Sequence, residues 1–375
     1  MSKVPRKRKI GLTGLIMLFP LAFAFAYLAS RFPETVERYY SRTVYRYLSQ
    51  AISTATGVFP FSVAEVVVVL ALMLTIAGVA YSIIEVIKTP GQRFRLVTGR
   101  LVAAAAAVSI LGFGFVTVWG LNYHRVSIAS IANLEVREAS VEELEALCRY
   151  LIEEANDLRR FMEEDQDGVM VCPGGVGDIL KRAHKGYQSA AGVYPELGGR
   201  YGRPKAVMLS KVLSYQGIGG IYFPFTGEAN VNVSGPHFMI PFTASHEMAH
   251  QRGFAREDEA NYIGYLTCVM HPDPDFRYSG TMAALLYSMN AMARQDRERY
   301  YSLREEYSAG VARDFEAWNR HCKKYDGFVR EATDRINDAY LQANAQKEGV
   351  KSYGRMVDLL LAHYRGIAGA QASEQ

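Results

Sequence analysis

Three long apolar stretches dominate the first third of the chain, and no stretch of comparable length follows them. They cover residues 10–30, 61–87 and 101–120. Each is long enough to cross the hydrocarbon core of a bilayer as a helix. We therefore predict a membrane anchor over residues 1–120, with three transmembrane helices, and a separate domain over residues 121–375.

Basic residues flank these stretches unevenly. Five precede the first stretch and four lie between the second and third, where no acid accompanies them: Lys3, Arg6, Lys7, Arg8 and Lys9, then Lys88, Arg93, Arg95 and Arg100. Lys and Arg favour the cytoplasmic side of a membrane. The first stretch is also longer than the core of a typical signal peptide, which favours an uncleaved anchor. The expected protein is a multi-pass cell-membrane protein whose domain from residue 121 onward is extracytoplasmic.

The pattern beyond residue 120 is mainly helical. Ser140 and Glu143 form a capping box ahead of apolar residues at helical spacing, which predicts an amphipathic helix. Residues 204–210 and 230–234 have the pattern of short strands, and residues 281–307 and 311–345 have a helical and highly charged pattern. The alternation of polar residues over 230–234 is typical of a water-exposed edge strand, which could pair with an extended substrate. The expected fold is α+β and mostly helical.

One motif in this domain carries chemistry: His246-Glu247-Met-Ala-His250. On a helix, two histidines four residues apart project from one face, at the spacing that lets both imidazoles bind one Zn²⁺ ion. Glu247 lies between them, where a carboxylate can act as the general base that deprotonates a water activated by the metal. The motif predicts a zincin-like metallohydrolase domain.

The residues around the motif favour a helix that ends soon after it. Pro241 is expected just ahead of the helix, and Thr243 or Ser245 is expected to cap it. Gly253 follows His250 by three residues, where a glycine can end the helix in the left-handed conformation. The chain then turns back toward an acidic segment.

That acidic segment offers the third metal ligand. Residues 257–261 resemble the Glu-x-x-Ala-Asp helix of gluzincin proteases, and this resemblance implies that Glu257 binds the metal and that Asn261 orients a histidine. Two departures from that pattern are the amide of Asn261 in place of a carboxylate and a much shorter gap after His250. The gap is closer to the metzincin turn, although an arginine stands where the third metzincin histidine would be. Glu257 is the favoured ligand, Glu259 the alternative, and His271 a more distant one.

Composition adds few constraints. The net charge of +4 comes with no basic stripe interleaved with aromatic residues, so a nucleic-acid partner is not expected. All four cysteines lie beyond residue 120, where an oxidising compartment would allow one or two disulfides, and buried free thiols are the alternative: Cys148, Cys172, Cys268 and Cys322. Tyr353 and Arg355 are further candidates, as groups that could stabilise an oxyanion.

Four segments, together with the three apolar stretches, resemble a bacterial membrane family named domain of unknown function 3810. They cover residues 119–123, 220–230, 246–261 and 351–355. The resemblance implies a zinc-dependent hydrolase and gives no substrate.

We therefore predict a membrane-anchored zinc metalloprotease that acts on protein or peptide substrates. The charges around the motif favour an aqueous site over one inside the bilayer, where burying them would be very costly. The alternative is a non-catalytic membrane scaffold or receptor with a structural zinc site, in which a fourth protein ligand would close the metal.

Overall fold

The computed structural model describes residues 11–12, 14–344 and 355–373, with side chains to residue 368. The chain forms two compact units. One comprises the described part of Met1–Tyr45 together with Val63–Arg125. The other comprises Arg46–Ser62 together with the described part of Val126–Gln375.

The first part of the chain contains three long apolar helices and several shorter helical segments. They are α1 (Leu18–Ser30), α2 (Pro33–Thr35), a π-helical segment (Val36–Tyr45), α3 (Arg46–Thr56), α4 (Val63–Lys88) and α5 (Arg93–Val118), with 3-10 turns at Pro90–Gln92 and Gly120–His124. Helix α4 and the segment Pro90–Val118 are each long and apolar enough to cross a membrane. The helical segments Gly14–Ser30 and Pro33–Thr56 meet at a bend of 101°. They would add a third span if the pair is counted as a single span. The basic residues expected ahead of the first span lie outside the described residues.

A buried ion pair joins the two chain segments of the first unit. Arg125 donates from Nε to Glu37 Oε2 at 2.8 Å and from Nη2 to Glu37 Oε1 at 2.7 Å. Nearby, the Ser41 hydroxyl donates to Asn122 Oδ1 at 2.8 Å. Because the pair is bidentate, both carboxylate oxygens are satisfied despite their burial.

The second unit contains the remaining helices and all five strands of the described chain. The helices are α6 (Ile128–Ile131), α7 (Val141–Arg159), α8 (Gly175–Arg182), α9 (His184–Ala191), α10 (Ser210–Tyr215), α11 (Ile240–Gln251), α12 (Glu257–Val269), α13 (Pro274–Gln295), α14 (Arg297–Glu305), α15 (Ala309–Lys324), α16 (Phe328–Ala343) and α17 (Met356–Ser373), with 3-10 turns at Pro195–Leu197 and His237–Met239. The strands are β1 (Glu163–Glu164), β2 (Met170–Val171), β3 (Lys205–Ala206), β4 (Gly220–Phe223) and β5 (Glu228–Val231). The capping box expected at Ser140 and Glu143 is confirmed at the start of α7.

The larger sheet has the strand order β3-β5-β4, with β5 parallel to β3 and antiparallel to β4. The expectation of a water-exposed edge strand over 230–234 is therefore wrong, because β5 is central and all four of its residues are buried. Its polar side chains have buried partners instead of water. Asn230 Oδ1 accepts from the Ser62 hydroxyl at 2.6 Å, and its amide donates to Ile221 O at 3.1 Å. The edge strand of this sheet nearest the motif is β4.

Residues 46–62 pack within the second unit, although the sequence-based division at residue 120 grouped them with the anchor. The Ser49 hydroxyl donates to Gln251 O at 2.8 Å, at the end of α11. The buried Lys205 ammonium donates to the carbonyl oxygens of Thr56 and Phe61 at 2.7 and 2.9 Å, and to Glu228 Oε1 at 2.6 Å. The segment thus supplies acceptors to a buried charge in the sheet.

All four cysteines are free thiols, and three of them are buried. Burial raises the pKa of the Cys148 and Cys268 thiols to about 12, so both stay protonated at neutral pH. Of the two alternatives drawn from the sequence, the structure has the free thiols.

Candidate metal centre

Helix α11 carries the His-Glu motif and begins further upstream than expected. The 3-10 turn at His237–Met239 leads directly into it, so Thr243 and Ser245 lie inside the helix and neither caps it. The capping predictions are therefore wrong. The first-turn N–H of Phe242 instead donates to the Ser279 hydroxyl of α13 at 3.0 Å, which satisfies one of the donors that a helix start leaves open.

The end of α11 matches the expectation for Gly253. This residue has a φ of +84°, and its N–H donates to His250 O at 2.9 Å. The turn brings the carbonyl oxygen of Phe254 to 2.7 Å from Nδ1 of the His250 ring. An Nδ1–H donated to this carbonyl leaves Nε2 with a lone pair for a metal.

Potential ligand atoms of three side chains converge at the two imidazoles. Nε2 of His246 and Nε2 of His250 are 3.1 Å apart, and Glu257, the first residue of α12, places Oε2 3.3 Å from the first and Oε1 3.6 Å from the second. Two ligands at about 2.0 Å from a tetrahedral zinc ion lie about 3.3 Å from each other. The three side chains therefore have the donor types and the spacing that suit a zinc ion.

The buried carboxylates of this cluster favour a positive charge between His246, His250 and Glu257. Burial works to lower the pKa of His250, but the carboxylates of Glu257 and Glu247 outweigh it and raise that pKa to about 9. Burial likewise works to raise the pKa of Glu257, but the two imidazoles outweigh it and lower the value. A divalent cation would meet the same demand for positive charge at this point.

Glu247 lies beside the cluster and not within it. Its Oε1 is 4.0 Å from His246 Nε2, and its side chain is almost wholly buried. Burial raises its pKa, and a hydrogen bond from the backbone N–H of Tyr222 works in the opposite direction. Its Oε2 has no hydrogen-bond partner among the described residues. A carboxylate with a raised pKa and an unused oxygen is suited to accept a proton.

Glu259 and His271, the alternative third ligands, form contacts away from the two histidines of the motif. Glu259 Oε1 accepts from the backbone N–H of Ile128 at 2.9 Å and from Arg256 at 2.7 Å. His271 is stacked on Phe276 with ring centroids 3.8 Å apart, and both of its ring nitrogens contact backbone groups at 3.0 and 3.1 Å. Neither residue belongs to the cluster of ligand atoms found in the described chain.

Asn261, expected to orient a histidine, accepts a hydrogen bond of 3.4 Å from the Tyr287 hydroxyl. Its Nδ2 is buried without a partner in the described part of the chain, and so is Nδ1 of His246. Of the two oxyanion candidates, Tyr353 lies outside the described residues. Arg355 places its Nε 3.4 Å from the Asp258 carboxylate on α12, next to Glu257.

Sequence reasoning missed Gly220, at the start of β4. A Cβ at this position would lie 2.5 Å from Glu247 Oε1, so the glycine leaves the space that this carboxylate occupies. The run Gln216-Gly-Ile-Gly-Gly220 was the available signal, because glycines within a strand mark places where another group approaches closely.

Fold and site together describe a mostly helical protein that has two or three helices apolar enough for a membrane and a buried His-His-Glu cluster. The chain belongs to the family described as Protein of unknown function (DUF3810), whose model matches residues 40–361. Comparison with curated proteins and comparison with solved structures find no match.

Proposed function

We propose that this protein is a membrane-anchored zinc metallopeptidase. The observation that carries the proposal is the convergence of His246, His250 and Glu257 within 4.8 Å of one another, with the Glu247 carboxylate beside them. In this proposal the first three bind Zn²⁺ and Glu247 is the general base. Zinc supplies a Lewis acid that polarises a carbonyl and lowers the pKa of water.

In this proposal, side chains of the protein orient the metal ligands and transfer the protons. The hydrogen bond from His250 to Phe254 O sets which ring nitrogen faces the metal. Glu247 would take a proton from the attacking water and return it to the leaving amine, which its raised pKa favours. Its burial beside Gly220 holds the carboxylate on the β4 side of the cluster.

Strand β4 offers backbone groups for an extended substrate. The N–H of Asn232 donates to Gly219 O at 2.8 Å, so these two residues form a hydrogen-bonded pair in the β4–β5 register. Such pairs alternate in an antiparallel ladder, so the backbone groups of Gly220 and Tyr222 point away from β5, and those of Gly220 would be the ones presented to a substrate. This is the side on which Glu247 receives its hydrogen bond from Tyr222. A peptide lying along β4 would therefore pass the general base.

The geometry favours an enzyme over a scaffold or receptor with structural zinc. A structural site is normally closed by four protein ligands, whereas a catalytic site keeps one position open. The described residues offer three, and the contacts of Glu259 and His271 occupy both of those side chains elsewhere. The remaining position would belong to water or substrate.

We further propose that the site lies in an aqueous, extracytoplasmic domain. The support is the basic loop between α4 and α5 and the charged residues beside the motif, which form ion pairs within the second unit. Substrates would then be proteins or peptides of the cell envelope.

Metal analysis of the purified full-length protein, paired with Glu247→Gln, tests the proposal. We expect near-stoichiometric zinc in both proteins, and hydrolysis of unfolded casein only in the wild type. Zinc-free wild-type protein, or full zinc retention by His246→Ala, would overturn the metal site. Zinc without turnover in the wild type would favour the structural alternative.

A further inference from the structure

A small cavity lies beside the start of β4. It measures about 100 Å³ and lies between the 217–219 turn, the first turn of α11 and the facing helices α15 and α16. Gly219 immediately precedes β4, and Thr243 precedes Glu247 by one turn of α11. A Cβ at Gly219 would lie 3.6 Å from Thr243 Cγ2. The cavity therefore adjoins the strand along which a substrate would lie.

Aromatic rings form one wall of this cavity. The rings of Trp318 and His321 are stacked, with centroids 5.8 Å apart and planes 18° apart, and Tyr325 lies 5.0 Å from His321. Burial, with Lys324 adding to its effect, lowers the pKa of His321, so this ring is neutral at pH 7. Met239 and Ile240 contribute to the apolar part of the lining. Such walls favour a ring in edge or stacked contact.

Two polar residues of the lining, Asn232 and Ser214, already have partners within the protein. The Asn232 amide donates to the Ser214 hydroxyl and to Ile218 O, both at 2.9 Å. Its Oδ1 accepts from the N–H and the hydroxyl of Ser234 at 3.1 and 2.8 Å. Because these groups are satisfied, this wall does not require a polar ligand.

Among the described residues of the lining, Arg330 is the one Lys, Arg, Asp or Glu. A guanidinium at the side of a pocket interacts favourably with the face of an aromatic ring. An acidic side chain would also gain from this charge, but it would lose its hydration against the Trp318 and Tyr325 wall.

We infer that this cavity binds an aromatic side chain of the substrate, beside the peptide bond presented along β4. The inference rests on the proposed peptidase function. Trp318, His321 and Tyr325 form the wall that determines specificity. The cavity stays open because Gly219 and Gly235 have no side chain. A Cβ at Gly235 would lie 3.6 Å from both His321 and Trp318, so valine there would fill the cavity without a backbone clash.

A peptide-binding measurement tests whether the cavity binds an aromatic side chain, and it requires no peptide cleavage. The chain has two tryptophans, Trp119 and Trp318. In full-length protein carrying Trp119→Phe and Glu247→Gln, tryptophan fluorescence therefore reports on the cavity wall alone. The probes are capped five-residue alanine peptides whose central residue is Phe, Ala or Glu. We expect the Phe peptide to change Trp318 emission and to bind at least 10-fold more tightly than the Ala peptide.

Adding Gly235→Val should abolish that preference, whereas Gly177→Ala, at a helical glycine with open space around it, should keep it. Equal binding of the Phe and Ala peptides, tighter binding of the Glu peptide, or an unchanged preference in Gly235→Val would overturn the inference. Failure of the peptidase proposal is seen separately, as absence of zinc or of casein hydrolysis in the wild type, so the two failures are distinguishable.

Discussion

Nδ1 of His250 donates a hydrogen bond of 2.7 Å to the carbonyl oxygen of Phe254, four residues further along the chain. That carbonyl reaches the ring because Gly253 adopts a φ of +84° and turns the chain back over the end of α11. A residue with a Cβ would be strained in this conformation. The orientation of one proposed ligand therefore depends on a glycine outside the His-Glu motif.

Gly220→Ala should separate metal binding from catalysis. The new Cβ would lie 2.5 Å from Glu247 Oε1 and 2.6 Å from its Cγ, so the carboxylate must move. Because a displacement of about 1 Å can cost about 100-fold in rate, we expect casein hydrolysis to fall by about that factor. Metal analysis should find zinc retained. Gly177→Ala is the matched control, and wild-type turnover in Gly220→Ala would contradict the assigned role of Glu247.

Glu257→Ala and Glu259→Ala should have different effects. We expect Glu257→Ala to weaken zinc binding by more than about 100-fold, since even outer partners of metal ligands contribute about 10- to 100-fold. Glu259→Ala should leave zinc affinity nearly unchanged. It should instead lower the free energy of unfolding by about 1–3 kcal/mol, because the Ile128 N–H loses its buried acceptor. Chelator competition and thermal unfolding measure the two effects, and loss of zinc from Glu259→Ala alone would reverse the ligand assignment.

A fragment spanning residues 123–375 should fold poorly. It lacks residues 46–62, so the Lys205 ammonium would lose two carbonyl acceptors and Asn230 its bond from Ser62. Buried polar groups left unpaired are costly. Adding residues 46–62 through a Gly/Ser linker should restore a monomeric, cooperatively melting species in size-exclusion chromatography and circular dichroism. Equal melting temperatures with and without the segment would show that it contributes little to stability.

Reporter fusions test the orientation of the domain. A reporter that is active only outside the cytoplasm should be active when fused after Gln375 and silent when inserted at Gly91. Gly91 lies in the short turn between α4 and α5, with open space around it. The basic residues flanking this turn are the physical reason for the expectation. The reverse pattern would place the site in the cytoplasm.

Local chemistry made some features of this protein predictable. The spacing of His246 and His250 follows from helix geometry, and the left-handed end at Gly253 follows from the lack of a Cβ. The sequence suggested Glu257 as the partner of these histidines but could not exclude Glu259. The choice between the two carboxylates depends on the turn that the chain makes at Gly253.

The errors concern contacts between distant parts of the chain. Alternation along residues 230–234 indicates a strand, but it does not tell a water-facing side chain from one whose partner is Ser62. Contacts of the same long-range kind hold residues 46–62, whose partners at Lys205 and Gln251 are remote in the sequence. The cap on α11 was missed because Ser279 comes from another helix.

The packing of residues 46–62 against the sheet and α11 also sets an order of events during synthesis. This segment is synthesised before the two apolar helices α4 and α5. Both helices are in turn synthesised before any of the segment's partners in the sheet and α11 exist. Gln251, which accepts from Ser49, follows that residue by 202 positions, a delay of about 10–40 s at typical rates of translation. The second unit is therefore completed only after both apolar helices have been synthesised, and its metal ligands, which lie on α11 and α12, come together at that late stage.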